Sequence, residues 1–174
     1  ARLFPQALLA VTAQGWMRQW DGDGRVTARP WLEAEEVLPL VDVLFFSYED
    51  VDYDLERVKA YASLAKMAVV THNRLGAVVY SEAGSRWLPA FQARQVEPTG
   101  AGDVFAASYL VALDELGDPF DAARFANCVA SLSIEGEGTS TIPTRAQVEK
   151  RLATGKLVDD ISAQDYNMIQ SVLL

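Results

Sequence analysis

Strands alternating with helices predict an α/β fold built on a mainly parallel sheet. Three observations point to it. Leu8-Leu9-Ala10-Val11, Val41 to Phe46 and Lys66 to Thr71 are short, largely apolar runs, as expected of strands buried on both faces of a parallel sheet. Between them, Pro30 to Leu38 and Asp54 to Ala65 read as helices, and in the second Leu55, Val58, Ala62 and Ala65 share one face. Third, the glycine loop at 100–102 runs into Val104 to Leu113, where Ser108 is the one clearly polar side chain, so that a buried helix is expected.

The remaining elements follow in order. Gln14-Gly15 is expected as the turn closing the first strand, and Asp21-Gly22-Asp23-Gly24 as a hairpin tip. Acids near Glu33 suit the start of the first helix. Glu49 and Asp50 follow the second strand, where acids also complement the N-terminus of the next helix. His72 to Gly76 is a turn, with His72 expected at the surface and Asn73 tolerant of a left-handed backbone. Ala77 to Tyr80 is a strand. Ser85 to Pro89 leads back to a further strand over Phe91 to Val96, broken by Pro98. Gly117-Asp118-Pro119 ends one helix and opens another, Phe120 to about Ile134, which buries the thiol of Cys128. Thr144 is the expected N-cap of a helix over Arg145 to Leu152. The tail from Gly155 to Leu174 carries Val158, Ile161, Tyr166, Ile169 and Val172-Leu173-Leu174, which are expected to pack on the core or on another chain.

Composition narrows the function. The 174 residues are 50% hydrophobic and 22% charged, enough for one soluble domain with a real core. A net charge of -9 and a pI near 4.6 argue against nucleic acid and anionic membranes as partners. No apolar run approaches the ~18 residues of a membrane span, and no secretory signal is visible. The expected compartment is the cytoplasm. One cysteine and one histidine exclude an intramolecular disulfide and argue against a Cys/His zinc site.

The glycine loop carries the chemistry. Gly100 and Gly102 allow a tight turn in which several backbone N–H groups point one way, at the positive end of a helix dipole. That suits a phosphate. Asp103 stands at the same place and is able to accept the proton of an attacking hydroxyl while the amides hold a phosphoryl group in flight. Spacing alone leaves a second reading open, in which Asp103 only caps the helix. A P-loop would need Lys after the glycines, and a dinucleotide fingerprint would need glycine where Phe105 stands. Gln14 and Arg18 lie beyond the carboxyl end of the first strand, where open α/β sheets bind ligands.

Glu97-Pro98-Thr99-Gly100-Ala101-Gly102-Asp103 resembles the C-terminal signature Asp-Thr-x-Gly-Ala-Gly-Asp of the ribokinase-like sugar kinases, the PfkB carbohydrate kinase family. The resemblance implies a ribokinase-like three-layer α/β/α fold. It implies an anion hole at Gly100, Ala101 and Gly102, with Asp103 as base. It implies ATP and Mg2+, and a monovalent cation near Glu97. The acceptor it implies is a small sugar, polyol or nucleoside. By the same resemblance Thr71, Gly76, Thr99, Asn127 and Gly138 flank the nucleotide. Gln14 and Arg18, similar to a Gln-Gly-x-x-Arg segment of inositol-kinase-like members, would face substrate. Ser47 and Asp50 fall where the family has Asn-x-x-Glu, which implies a water-mediated magnesium contact at Asp50.

Family members are substantially longer, and their N-terminal half carries the lid and most sugar-binding residues. The resemblance runs from about Leu8 to Leu152. Residues 1–174 are therefore expected to form a single domain, the nucleotide-binding and catalytic portion without the N-terminal half and lid. Such a domain is a kinase, or a non-catalytic nucleotide-binding remnant or half of an assembly; a purely structural glycine loop would bind no nucleotide. A missing lid exposes apolar surface, so self-association is a further expectation.

Overall fold

A computed structural model describes residues 6–173. In chain order the elements are β1 (Ala10–Thr12), α1 (Gln14–Met17), β2 (Arg18–Trp20), β3 (Val26–Ala28), α2 (Ala34–Val37), β4 (Val43–Ser47), α3 (Leu55–Leu64), β5 (Ala68–Thr71), β6 (Gly76–Ser81) and β7 (Gly84–Pro89). Four helices follow: α4 (Ala101–Leu116), α5 (Pro119–Ser133), α6 (Arg145–Thr154) and α7 (Ala163–Val172). Short 3-10 turns lie at Leu38–Leu40, Tyr48–Val51, Asn73–Leu75 and Gly138–Thr141.

The main sheet has five strands in the order β1-β4-β5-β6-β7. β1, β4 and β5 are parallel neighbours. β6 turns back antiparallel to β5, and β7 turns back again. β7 therefore points the same way as β5, and β6 alone opposes the common direction.

Alternation along the strands sorts the core into two layers. Leu44, Phe46, Ala68 and Val70 pack with Met17, Trp31, Ala34, Val58 and Tyr61 from α1 to α3 and the segments joining them. Val43, Phe45, Val69, Ala77 and Val79 pack with Phe105, Tyr109 and Ala112 of α4 and three alanines of α5. Helices thus cover both faces, as the apolar runs at β4 and β5 require. A separate hairpin of β2 and β3 turns at Asp21–Gly24 as expected, with Asp21 Oδ1 accepting from the amides of Asp23 and Arg25. The Trp16 and Trp31 rings stack at its base, 5.1 Å apart.

Several expectations need correction. β1 begins at Ala10 and lies at the sheet edge, so Ala10 and Val11 are only partly buried and Thr12 is exposed. Gln14 and Gly15 open a helical turn rather than a reverse turn. Phe91 to Val96 is not a strand: only Phe91 bridges, to Leu157, because β7 already occupies the place beside β6. α4 is buried on one face, while Val111 and Leu116 meet solvent. Its apolar outer positions hid that amphipathicity.

Other expectations stand. Asn73 takes φ +49°. Thr144 is the N-cap residue of α6, where its amide donates to Gln147 Oε1 at 2.7 Å. Cys128 is fully buried, and burial pushes its thiol up to about 11, too high for a reactive thiolate. Among the described residues no helix is long and apolar enough to cross a membrane.

Gly76 is where the β5–β6 turn meets β7. Its φ is +108°, and a Cβ there would lie 2.1 Å from the Leu88 carbonyl oxygen and 2.6 Å from the Ala90 amide. Backbone on that side has little room to yield. Gly76→Ala is expected to cost roughly 3 kcal/mol, read as a lower urea midpoint with an unchanged slope.

Candidate active site

The carboxyl ends of β1, β4 and β5 open on one edge, and α4 begins there. Phe45 of β4 meets Phe105 and Tyr109 edge-on, with centroids 6.4 and 5.3 Å away. Tyr109 Oη donates to Met67 Sδ near the start of β5. The helix thus runs back along the sheet, with its N-terminus at the carboxyl edge.

Gly100 precedes α4 in the left-handed region, φ +80°, with no side-chain cap. Ala101 N donates to Pro98 O at 3.1 Å, and Val104 N to Gly100 O at 3.0 Å. The amides of Gly100, Gly102 and Asp103 have no acceptor among the described residues. Ala101 therefore closes the turn, and its three neighbours supply the free donors. Thr99, Gly100, Gly102 and Asp103 are exposed. The N-cap position is Gly100, and no side-chain hydrogen bond from Asp103 to the α4 backbone exists among the described residues, so the capping reading has no hydrogen bond behind it.

The loop hangs from the end of α5. The amides of Val96 and Glu97 both donate to Ile134 O, at 2.8 and 3.2 Å, and Glu97 Oε2 accepts from Gly138 N at 3.0 Å. Gly138 is thereby tied to the glycine loop. Asn127 is buried in α5, and its Nδ2 donates to the carbonyls of Leu88 and Pro89. That amide group holds the end of β7. Thr71 ends β5 half-buried beside Ser47, and Gly76 serves the close approach to β7 described above.

Gln14, Arg18 and Asp50 come together. Arg18 Nε and Nη2 each reach Asp50 Oδ1 at 2.6 Å. Ser47 N donates to Asp50 Oδ2 at 2.8 Å. With its amide oxygen turned toward Arg18, Gln14 accepts from Nη1 and Nη2 at 3.1 and 3.0 Å. The Asp50 side chain is only 3% exposed. A buried carboxylate that already holds a guanidinium fits a water-mediated magnesium contact better than direct ligation. No cluster of three or more metal-binding side chains exists among the described residues.

His72, expected at the surface, is buried against the Tyr48 ring at 4.9 Å, with no partner for either ring nitrogen among the described residues. The covering side chains are distant in sequence, so its polar neighbours misled.

A mixed sheet between two helical layers, with free amides and an exposed carboxylate at its carboxyl edge, defines an α/β domain suited to phosphorylated ligands at that edge. Residues 18–145 match the pfkB family carbohydrate kinases. The chain is 30% identical over 125 residues to a nucleoside kinase of Methanothermobacter thermautotrophicus, covering 68% of this chain and 40% of that protein. It is 31% identical over 150 residues to an inositol 3-kinase of Zea mays, covering 84% of this chain and 38% of the other. Its fold matches Arabidopsis thaliana ribokinase complexed with ribose and ATP at a TM-score of 0.62, with 25% identity, over 69% of this chain and 43% of that one. This chain belongs to the pfkB family of carbohydrate kinases, and its fold matches part of the ribokinase fold. It spans about two-fifths of the length of these curated relatives.

Two outcomes follow. Arg18→Met strands the Asp50 charge and should cost about 2 kcal/mol by urea unfolding, with part regained in Arg18→Met/Asp50→Asn. Burial holds the His72 imidazole down at about 4, below its ordinary 6.5. The unfolded chain then takes up this proton near pH 6.5 and the folded chain only near pH 4. The His72 contribution is full above pH 6.5 and is lost as pH falls through that window, by roughly 3 kcal/mol. His72→Leu should flatten the dependence of unfolding free energy on pH across the same range.

Proposed function

We propose that this domain is the catalytic portion of a kinase that moves the γ-phosphoryl of ATP to a hydroxyl of a sugar, polyol or nucleoside. The observation that carries the reading is an exposed Asp103 beside free amides at the positive end of a 16-residue helix. Asp103 takes the proton of the attacking hydroxyl. The amides of Gly100, Gly102 and Asp103 hold the charge on the transferring group, and Ala101 keeps their turn closed. Thr99 and Gly138 border the nucleotide on the loop tied by Glu97, with Thr71 and Gly76 across the edge. Asn127 supports that region by holding β7. Gln14 and Arg18 face the acceptor.

Magnesium, when bound, neutralises nucleotide phosphates. Asp50 would hold it through water. The names of the relatives, nucleoside kinase and inositol 3-kinase, support a hydroxylated acceptor without choosing one. A second reading concerns these residues taken alone, which span about 40% of that nucleoside kinase: they bind nucleotide without turnover.

The test is calorimetry with magnesium and a non-hydrolysable ATP analogue, followed by a phosphotransfer assay over sugars, polyols and nucleosides. One-site binding with turnover supports the kinase. Binding alone supports the second reading, and no binding opposes both. Asp103→Asn should lower kcat about 10²- to 10⁴-fold with analogue affinity nearly unchanged; full activity in that variant would end the base assignment.

A further inference from the structure

Beneath α7, on the sheet face opposite α4, lies a cavity of about 430 Å³. That size is within the roughly 300–1,000 Å³ of small-molecule sites. Tyr48, Tyr53 and Met168 line it, together with His72, Asn73 and Leu75 from the turn between Thr71 and Gly76. No residue of the glycine loop does, and Tyr48 and Met168 belong to the α1–α3 layer of the core.

His72 is 95% buried at this cavity, and both its nitrogens lack a partner among the described residues. A buried polar group without a hydrogen bond costs about 1–3 kcal/mol, so such groups demand an explanation. A neutral imidazole offers one donor and one acceptor. The Tyr48 and Tyr53 rings, crossed at 87° and 5.4 Å, add aromatic walls. At the mouth, Arg74 is already matched by Asp165 at 3.2 Å, and Gln164 adds an amide. Flat aromatic walls, paired donor and acceptor, and no uncompensated charge select an uncharged planar heteroaromatic molecule.

We propose that this cavity is a second binding site, distinct from the glycine loop, for an uncharged purine-type base, and that the base supplies the partner His72 lacks. Both nitrogens are closed off as the ring stands, so the site requires the imidazole to turn about its Cβ–Cγ bond until one of them meets the occupant. The site does not depend on the kinase reading. It shares the Tyr48–Val51 turn with Asp50, so an occupant touches the turn that holds Arg18.

Adenine is the probe, because it has no hydroxyl to accept a phosphoryl group. His72 is the one histidine of the chain, so in untagged protein labelled with ¹⁵N-histidine its ring signals need no assignment. Adenine should shift them saturably, with Kd about 1 mM or below. The shift should persist with a non-hydrolysable ATP analogue at saturation. Met168→Trp, which fills the cavity and keeps His72, should weaken adenine binding about tenfold or more. Unmoved His72 signals at saturating adenine, or displacement of adenine by the ATP analogue, would overturn the proposal. The first result leaves the kinase reading intact. Because the shift is measured on the wild-type chain, a Met168→Trp variant that failed to fold would not spare the proposal.

Discussion

Phe45 seats α4 on the sheet, and the geometry of the carboxyl edge follows from that seat. Phe105 and Tyr109 are four residues apart and present one face to it. Edge-on aromatic pairs add about 0.5–1.5 kcal/mol each beyond their burial. A slip of one helical turn would carry the glycine loop about 5.4 Å along the axis. The loop is also held from behind, where Ile134 O receives two amides and Glu97 reaches Gly138. The free donors are therefore fixed from two sides, by side-chain packing at the sheet and by main-chain bonds at the end of α5.

The chain carries a net charge of -9, yet the proposed function asks the glycine loop to hold an anion. The resolution is local. The attracting charge at the glycine loop comes from backbone dipoles and unpaired N–H groups, which no count of lysines and arginines records. Where a side-chain cation does enter the edge, at Arg18, the buried Asp50 already balances it. An acidic surface and an anion cradle are compatible because they arise from different atoms.

Much of this was legible in the sequence. β4 and β5 announced themselves as nearly unbroken apolar runs because helices cover both their faces. Gly100 and Asn73 each marked a left-handed position. Failures came where distant segments decide. Arg18 and Asp50 are 32 residues apart, and only the parallel pairing of β1 with β4 brings them together. Phe91 to Val96 alternates like a strand but finds no free neighbour. His72 sits among polar residues, and its cover comes from Tyr48 and the end of the chain.

The tail shows what kind of specificity secures that cover. Tyr80 Oη donates to Val172 O at 2.6 Å, and Ser85 Oγ donates to Leu173 O at 2.7 Å. Both side chains belong to the antiparallel β6–β7 hairpin, while the groups they grip are main-chain carbonyls. Every amino acid offers such a carbonyl. Apart from Ile169 and Val172, which fill the core, and Asp165, which pairs with Arg74, drift along α7 therefore leaves its docking bonds in place. The evolutionary constraint on this contact falls on the hairpin that grips more than on the helix that is gripped.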